Sequence, residues 1–324
     1  MLVRAYNVHN GDVNLPFWIS ISLIIAVTVL LLFNPSLNNN IAFSQDLNNN
    51  NNNFKTGSTH TLTQTNKTQF AITVTKLLAS NLEKRLQDAG SVLEVTSKLP
   101  QVNNTSFAHL LNQTLTTLHG IPKDADIQKR QIAQNILSNY KDLQIIVFIM
   151  PNGDVYFADP YSKQQISTTN NLGFRDYFQG AIKAHNTFLG NIHTSAATGQ
   201  RQALIAVPIY SQKNNSTLIG VWAGGIDFDT LSKELQSLNL PSGERIVYTD
   251  HNGLKISDSN VTSANQAESF ADLQSFKNAA NGQSGSLVES THGTTNKMLI
   301  TYSPVKAFQN TWVVLLMQPY TIPP

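Results

Sequence analysis

The stretch that decides the fold opens with FRDYFQGA (174–181), continues through LIAVPIY (204–210) and closes with LIGVWAGGIDF (218–228). Asp227 is the only charged residue of the last segment. A carboxylate on a half-buried strand needs a partner, because an unpaired charge is costly to remove from water. Arg175 carries a planar, permanently charged guanidinium that suits a carboxylate. The sequence therefore predicts that Arg175 and Asp227 meet in a small polar pocket.

The alternation of side chains along the last segment supports the same pocket. On a strand, the small residues and the carboxylate share one face, which holds Val221, Ala223, Gly225 and Asp227. The bulky Trp222 lies on the opposite face. Small side chains beside a carboxylate leave space for a ligand. The alternative from the residues alone is a structural ion pair that binds nothing.

Outward from this stretch, helical and strand patterns alternate. Apolar residues at spacings of three and four predict helices over 68–99 and 124–140. Apolar strands flank the turn sequences PNG (151–153) and HNG (251–253), which predict two hairpins. After each hairpin comes an apolar strand that contains proline, followed by another apolar strand, so the pattern repeats. It predicts an α+β fold with antiparallel sheets, in which a long N-terminal helix carries two similar modules.

The predicted domain organisation has five parts. They are an N-terminal segment with a transmembrane or signal helix (1–34), an Asn-rich flexible linker (35–67), a stalk helix (68–100), a membrane-distal module (101–239) and a membrane-proximal module (240–324).

The N-terminal segment sets the predicted location. Residues 17–33 carry no charge and reach the lower limit of length for a helix that spans a bilayer, so they predict a membrane anchor. A secretory signal that is removed before Gln45 is the alternative. In either case the modules are predicted to lie outside the cytoplasm.

Composition argues against several classes of function. The net charge is +2, from 22 basic and 20 acidic residues without a basic cluster, so nucleic acid is not a predicted partner. The chain has no cysteine, which excludes disulfides and thiol catalysis. Hydrolase, metalloprotease, phosphate-loop and dinucleotide motifs are absent, so we expect neither an enzyme nor a cofactor. The turn at 250–253 lacks the acidic spacing of a calcium loop, and no metal is predicted.

The order of elements and the quoted stretch resemble the double Cache family, whose members are extracytoplasmic ligand-binding modules of chemoreceptors and sensor kinases. The resemblance covers about 68–324 and implies two PAS-like α/β modules, with the ligand in the distal one. Arg175, Tyr177 and Phe178 match an Arg-x-aromatic-aromatic motif, whose arginine holds the ligand carboxylate in amino-acid-binding members. Asp227 matches a later aspartate that receives the ligand ammonium group.

Between these motifs, His193 and Ser195 stand where such members carry a Tyr-x-Asp pair. The predicted ligand-binding residues are Arg175, Tyr177, Phe178, His193, Ser195 and Asp227. The resemblance implies a sensor for an amino acid, an amine or a small carboxylate. Because the sequence ends at Pro324 without an output domain, we expect either a membrane signalling partner or a sensor that has lost its output; a homodimer is left open. The rival function is a surface or adhesion module that binds no small molecule.

Overall fold

The structure is a computed structural model that describes residues 57–211, 217–261, 266–291 and 296–320. Residues 57–237 and the described residues from Ser242 onward form one compact unit. The predicted anchor at 17–33 and the Asn-rich tract at 38–53 lie outside the described residues. No helix in the described part of the chain combines the length and apolar character needed to cross a membrane.

The described helices and strands follow one another in an order that is nearly the same in two halves. The helices are α1 Gly57–Ser97, α2 Pro100–Asn103, α3 Leu111–Leu118, α4 Ile127–Asn139, α5 Tyr161–Gln165, α6 Asp176–Ala184, α7 Phe228–Ser237 and α8 Gln274–Ala280, with a 3-10 turn at Ala108–Leu110. The strands are β1 Leu143–Ile149, β2 Val155–Asp159, β3 Phe188–Leu189, β4 His193–Thr194, β5 Arg201–Gln202, β6 Leu204–Tyr210, β7 Leu218–Ile226, β8 Arg245–Thr249, β9 Lys255–Asp258, β10 Gly285–Ser290, β11 Lys297–Ala307 and β12 Asn310–Pro319.

Helix α1 is the long helix that the apolar spacing predicts, and it begins at Gly57, ahead of the predicted start at Thr68. Its buried face repeats at intervals of three and four residues. That face includes Ala71, Val74, Leu78, Leu82, Leu86, Ala89 and Leu93. The helix contacts β6 and β7 of one sheet and β11 and β12 of the other, so the two sheets cover its apolar face between Ala71 and Leu93. Pro100 opens the next helix, where a missing N–H costs nothing.

Two five-stranded antiparallel sheets share one topology. The first has the order β2-β1-β7-β6-β3, and the second, from its opposite edge, has the order β9-β8-β12-β11-β10. In each sheet the hairpin (β1–β2 or β8–β9) pairs with the last strand of its half. The prediction of an α+β fold with antiparallel sheets is therefore confirmed. The module boundary at 239/240 stays a prediction.

The two faces of the first sheet bury different sets of side chains. Val221 and Ala223 pack with Tyr177 and other residues in the cluster beneath α6. Trp222 points to the opposite face, and its indole N–H donates to the hydroxyl of Thr96 on α1 at 3.1 Å. The faces alternate as the sequence predicts. The face toward α6 is the one that carries the cavity described next.

Candidate functional site

A cavity lies between the first sheet and the segments that surround α6. It holds about 490 Å³ of empty space, including space that opens to solvent. Its floor comes from β1 and β2, and its rim comes from α5, the start of α6 and the β4–β5 hairpin. The lining residues with polar side chains are His119, Lys163, Gln164, Ser167, Arg175, Tyr177, His193, Ser195 and Gln202. Four of the six predicted site residues are in this set.

Arg175 is the cation at the centre of the predicted motif, and its backbone forms the N-cap of α6 in an extended conformation. Its Nη2 donates to the backbone carbonyl of Thr194 at 3.3 Å. Its Nε is buried and has no hydrogen-bond partner. No carboxylate of the described residues forms an ion pair with it. A guanidinium has five N–H donors, so most of the donor capacity of Arg175 is free.

Tyr177 and His193 form an aromatic wall. Their rings stack, with centroids 5.5 Å apart and planes inclined by 29°. Burial raises the pKa of the Tyr177 phenol, so the group is a neutral donor at physiological pH. Burial also lowers the pKa of His193, the backbone contact with Asn191 opposes that change, and the charge of Arg175 adds to it. The wall is therefore uncharged near neutral pH.

Ser195 lines the cavity from the β4–β5 hairpin and is 4% exposed. Its Oγ accepts hydrogen bonds from the backbone N–H groups of Ala197 and Thr198, both at 3.3 Å. These bonds hold the AATG turn, as a serine side chain commonly does in short turns. The hydroxyl proton stays available to a ligand.

Three polar side chains that line the cavity were not predicted from the sequence: His119, Lys163 and Gln202. Buried polar atoms without a partner include Nδ1 of His119 and Oε1 of Gln202, as well as Nε of Arg175. Buried polar groups in native proteins are nearly always satisfied, so these three atoms need partners, which water or a ligand in the cavity can supply. No sequence motif marks these residues, because they come from a helix end, a one-turn helix and a two-residue strand.

Two predicted site residues lie outside the cavity lining, and this corrects the predicted constellation. Phe178 is 6% exposed and packs in the apolar cluster of the first sheet. Asp227 sits at the N-cap of α7: its Oδ1 accepts the N–H groups of Asp229 and Thr230 at 3.1 and 3.3 Å. Its Oδ2 accepts the Thr230 hydroxyl at 2.8 Å. No hydrogen bond or ion pair joins it to Arg175 within the described structure.

The capping role of Asp227 is testable by its stability effect. We expect Asp227→Ala to lower the free energy of unfolding by about 0.5–2 kcal/mol, because two backbone N–H groups of α7 lose their acceptor. Asp227→Asn is the matched control, since asparagine caps helices about as well as aspartate. Urea unfolding monitored by circular dichroism compares the variants. An Asn variant as unstable as the Ala variant would contradict the capping role.

The profile of the Cache domain, of the double Cache (dCache) type, matches residues 58–322. This chain belongs to the double Cache family. The ligand-binding domain of the Pseudomonas aeruginosa PAO1 amino acid chemoreceptor PctC, in complex with GABA, aligns with a TM-score of 0.54 and 16% identity, covering 78% of this chain and 99% of that domain.

Two further double Cache structures align similarly. The ligand-binding domain of the Pseudomonas fluorescens chemoreceptor CtaA, in complex with L-isoleucine, has a TM-score of 0.56 and 13% identity over 81% of this chain and 96% of that one. The periplasmic sensory domain of the Campylobacter jejuni chemoreceptor Tlp1 has a TM-score of 0.57 and 15% identity over 79% and 96%. A search of curated proteins finds no match. At these identities the alignments support a shared fold, and the ligand must be argued from the cavity.

Proposed function

We propose that this double Cache chain is an extracytoplasmic sensor module that binds a small molecule of the amino acid, amine or small carboxylate class. An amino acid or carboxylate ligand places its carboxylate on Arg175. The observation that carries this proposal is the Arg175 guanidinium, which lines the cavity, pairs with no carboxylate of the described residues and keeps a buried Nε without a partner. Leaving such a donor unsatisfied is costly, and a carboxylate can accept two parallel N–H bonds from it.

The relatives support the ligand class. PctC was crystallised with GABA and CtaA with L-isoleucine, and each of these ligands carries a carboxylate. In the present chain, Tyr177, His193 and Ser195 would surround the bound carboxylate with uncharged donors and an aromatic wall. The module binds and reports a ligand and performs no catalysis, so it needs no cofactor.

The module acts at a membrane in this proposal. The apolar segment at 17–33 anchors it, and the ligand-bound state is passed to a membrane signalling partner. Secretion after signal cleavage is the alternative location, and a homodimer is compatible with either. Intact mass measurement of the protein recovered from its host separates anchoring from cleavage before Gln45.

A ligand screen tests the proposed function. The full chain, purified in detergent, is melted in the presence of L-amino acids, amines and small carboxylates. A true ligand at 100 times its Kd stabilises the folded protein by about 2.7 kcal/mol and raises the melting temperature. We expect Arg175→Gln to lower the affinity for that ligand by about 30-fold or more, because a desolvated hydrogen bond to a charged group is lost.

Lys183→Gln is the matched control for this screen. Lys183 is an exposed cation on the same helix, α6, and does not line the cavity. Its replacement leaves ligand affinity unchanged. If no compound shifts the melting temperature and Arg175→Gln folds normally, the surface or adhesion module becomes the better reading.

A further inference from the structure

We propose that the cavity selects small dicarboxylates and hydroxydicarboxylates that lack an ammonium group, and that Lys163 is the residue that sets this selectivity. This inference rests on the proposed function and names the ligand class more narrowly. One carboxylate of the ligand occupies Arg175, the second meets Lys163, and a ligand hydroxyl donates to Gln202.

The first observation is the charge of the lining. Both Arg175 and Lys163 face the cavity, and none of the described residues that line it is an aspartate or a glutamate. A ligand ammonium group carries three donors and is stabilised by an anionic or strongly polar acceptor. Two cations in one small space instead raise the local potential and favour a ligand with two negative charges.

The second observation is that the nearby acids are already engaged. Oδ1 of Asp227 accepts two backbone N–H groups of α7, and its Oδ2 accepts the Thr230 hydroxyl. Asp176, which follows Arg175, accepts the backbone N–H of Asn191 at 2.6 Å. Neither carboxylate lines the cavity. The acids that could have received an ammonium group therefore hold the backbone of this chain.

The third observation is the placement of Lys163. Its Nζ donates to the backbone carbonyl and to the side-chain oxygen of Gln144, both at 2.9 Å. An ammonium has three N–H donors, so one is left for a ligand. Burial lowers the pKa of Lys163, and the charge of Asp227 opposes that change. The remaining donor of Lys163, at the cavity lining, is the one that the second carboxylate of the ligand would accept.

The fourth observation concerns the acceptors that remain. Gln202 is 5% exposed, and its Oε1 is buried without a partner, while its Nε2 lies 3.5 Å from Nε2 of His193. One neutral amide oxygen satisfies the single donor of a hydroxyl group, whereas a ligand ammonium would keep two further donors and its charge without a counterpart. A 2-hydroxy acid satisfies it while the carboxylates meet the two cations.

Isothermal titration of the full chain with matched probes tests the selectivity. L-malate, succinate and L-aspartate share a four-carbon dicarboxylate skeleton and differ in carrying a hydroxyl, no substituent or an ammonium group. We expect L-malate and succinate to bind at least about tenfold more tightly than L-aspartate. L-lactate and L-alanine provide the same comparison for monocarboxylates, with lactate the tighter of the two.

Lys163→Gln tests the residue. This variant is expected to lower the affinity for succinate and L-malate by about tenfold and to change the affinity for L-lactate by no more than about twofold. It should also reduce the discrimination against L-aspartate. Lys163→Arg keeps the charge and should retain the preference for dicarboxylates. Lys183→Gln is the control for a general loss of positive charge. If Lys163→Gln fails to fold, the ranking of the five probes on the natural chain still decides the question.

The outcomes separate the two proposals. If L-aspartate or L-alanine binds as tightly as its partner acid and Arg175→Gln abolishes that binding, the selectivity proposal is wrong and the sensor function stands. If all five probes bind weakly and Arg175→Gln changes none of them, the selectivity proposal is overturned. If no compound of the broader ligand screen raises the melting temperature either, the proposed function is also wrong.

Discussion

Replacing Asp258 with alanine is expected to lower the free energy of unfolding by about 3–5 kcal/mol. Asp258 lies at the end of β9 and is fully buried. It accepts Nε of Arg245 at 3.0 Å and Nζ of Lys255 at 3.2 Å. It also accepts the backbone N–H of Asn260 at 2.8 Å. Its loss removes one of the carboxylates that pair with Lys255, itself fully buried; Glu268, also at 3.2 Å, remains.

The ion pairs around Asp258 also stabilise contacts outside the second sheet. Nη2 of Arg201, on the β5 strand of the cavity hairpin, donates to the backbone carbonyl of Lys255 at 2.7 Å. The hydroxyl of Ser257 donates to the backbone carbonyl of Phe228 at 3.4 Å. Strand β9 is therefore tied both to the hairpin that lines the cavity and to the start of α7. A variant that disorders β9 should lower the melting temperature of the whole unit in one transition.

Thermal and urea unfolding of the full chain measure this effect. Asp88→Ala is the control, since Asp88 pairs with Lys84 across 2.8 Å on an exposed face of α1. Exposed pairs contribute about 0–1 kcal/mol. The two variants remove the same chemical group, and they differ in burial. Equal stability losses would show that burial of the Asp258 network adds nothing, and the argument from desolvation would then be wrong.

The sheets could be predicted from sequence because their signals are local. The PNG (151–153) and HNG (251–253) turns fix both hairpins, and Gly153 and Gly253 have φ of 89° and 77°, which glycine adopts readily. The apolar strands that follow carry their own burial pattern, and so does α1. Each of these features is set by residues close together in the chain, so the pattern can be recognised without a tertiary structure.

The candidate site was less predictable because it is assembled from distant segments. Arg175 and Tyr177 were identified from one short motif. Lys163 and Gln202 were not, since each acquires its role only when its segment folds over the sheet. Asp227 follows a strand and also precedes a helix, and the sequence does not say which neighbour its carboxylate serves. The structure assigns it to the helix, through the N–H groups of α7.

The second large effect is expected for Arg130→Met, which should lower the free energy of unfolding by about 3–5 kcal/mol and also weaken ligand binding. Arg130 is 3% exposed on α4. Its Nη1 pairs with Asp159 at 3.2 Å, and its Nη2 donates to Oε1 of Gln164 at 3.1 Å. Nη2 also lies within hydrogen-bond range of the carbonyls of Ile121 and Pro122. Methionine is about as long as the aliphatic part of the arginine side chain, and it supplies none of these hydrogen-bond donors.

The expected loss of binding follows from what Arg130 holds in place. Gln164 lines the cavity, and its Nε2 donates to the carbonyls of Leu118 and Ile121, both at 2.9 Å, on either side of His119. Without Arg130, Gln164 loses a charged donor, and the turn that presents His119 loses a second anchor. The cavity wall then becomes less ordered, and the ligand must order it on binding.

Paired measurements distinguish this role from simple instability. Gln131→Ala, at the adjacent exposed position of α4, should change the free energy of unfolding by no more than about 0.5 kcal/mol. Arg130→Lys keeps the charge but not the planar fork, so an intermediate loss is expected. Titrations at a temperature where every variant is folded should show weaker binding for Arg130→Met than for Gln131→Ala. Unchanged affinity in a destabilised Arg130→Met variant would mean that the wall around His119 is rigid without this arginine, and that Arg130 serves stability alone.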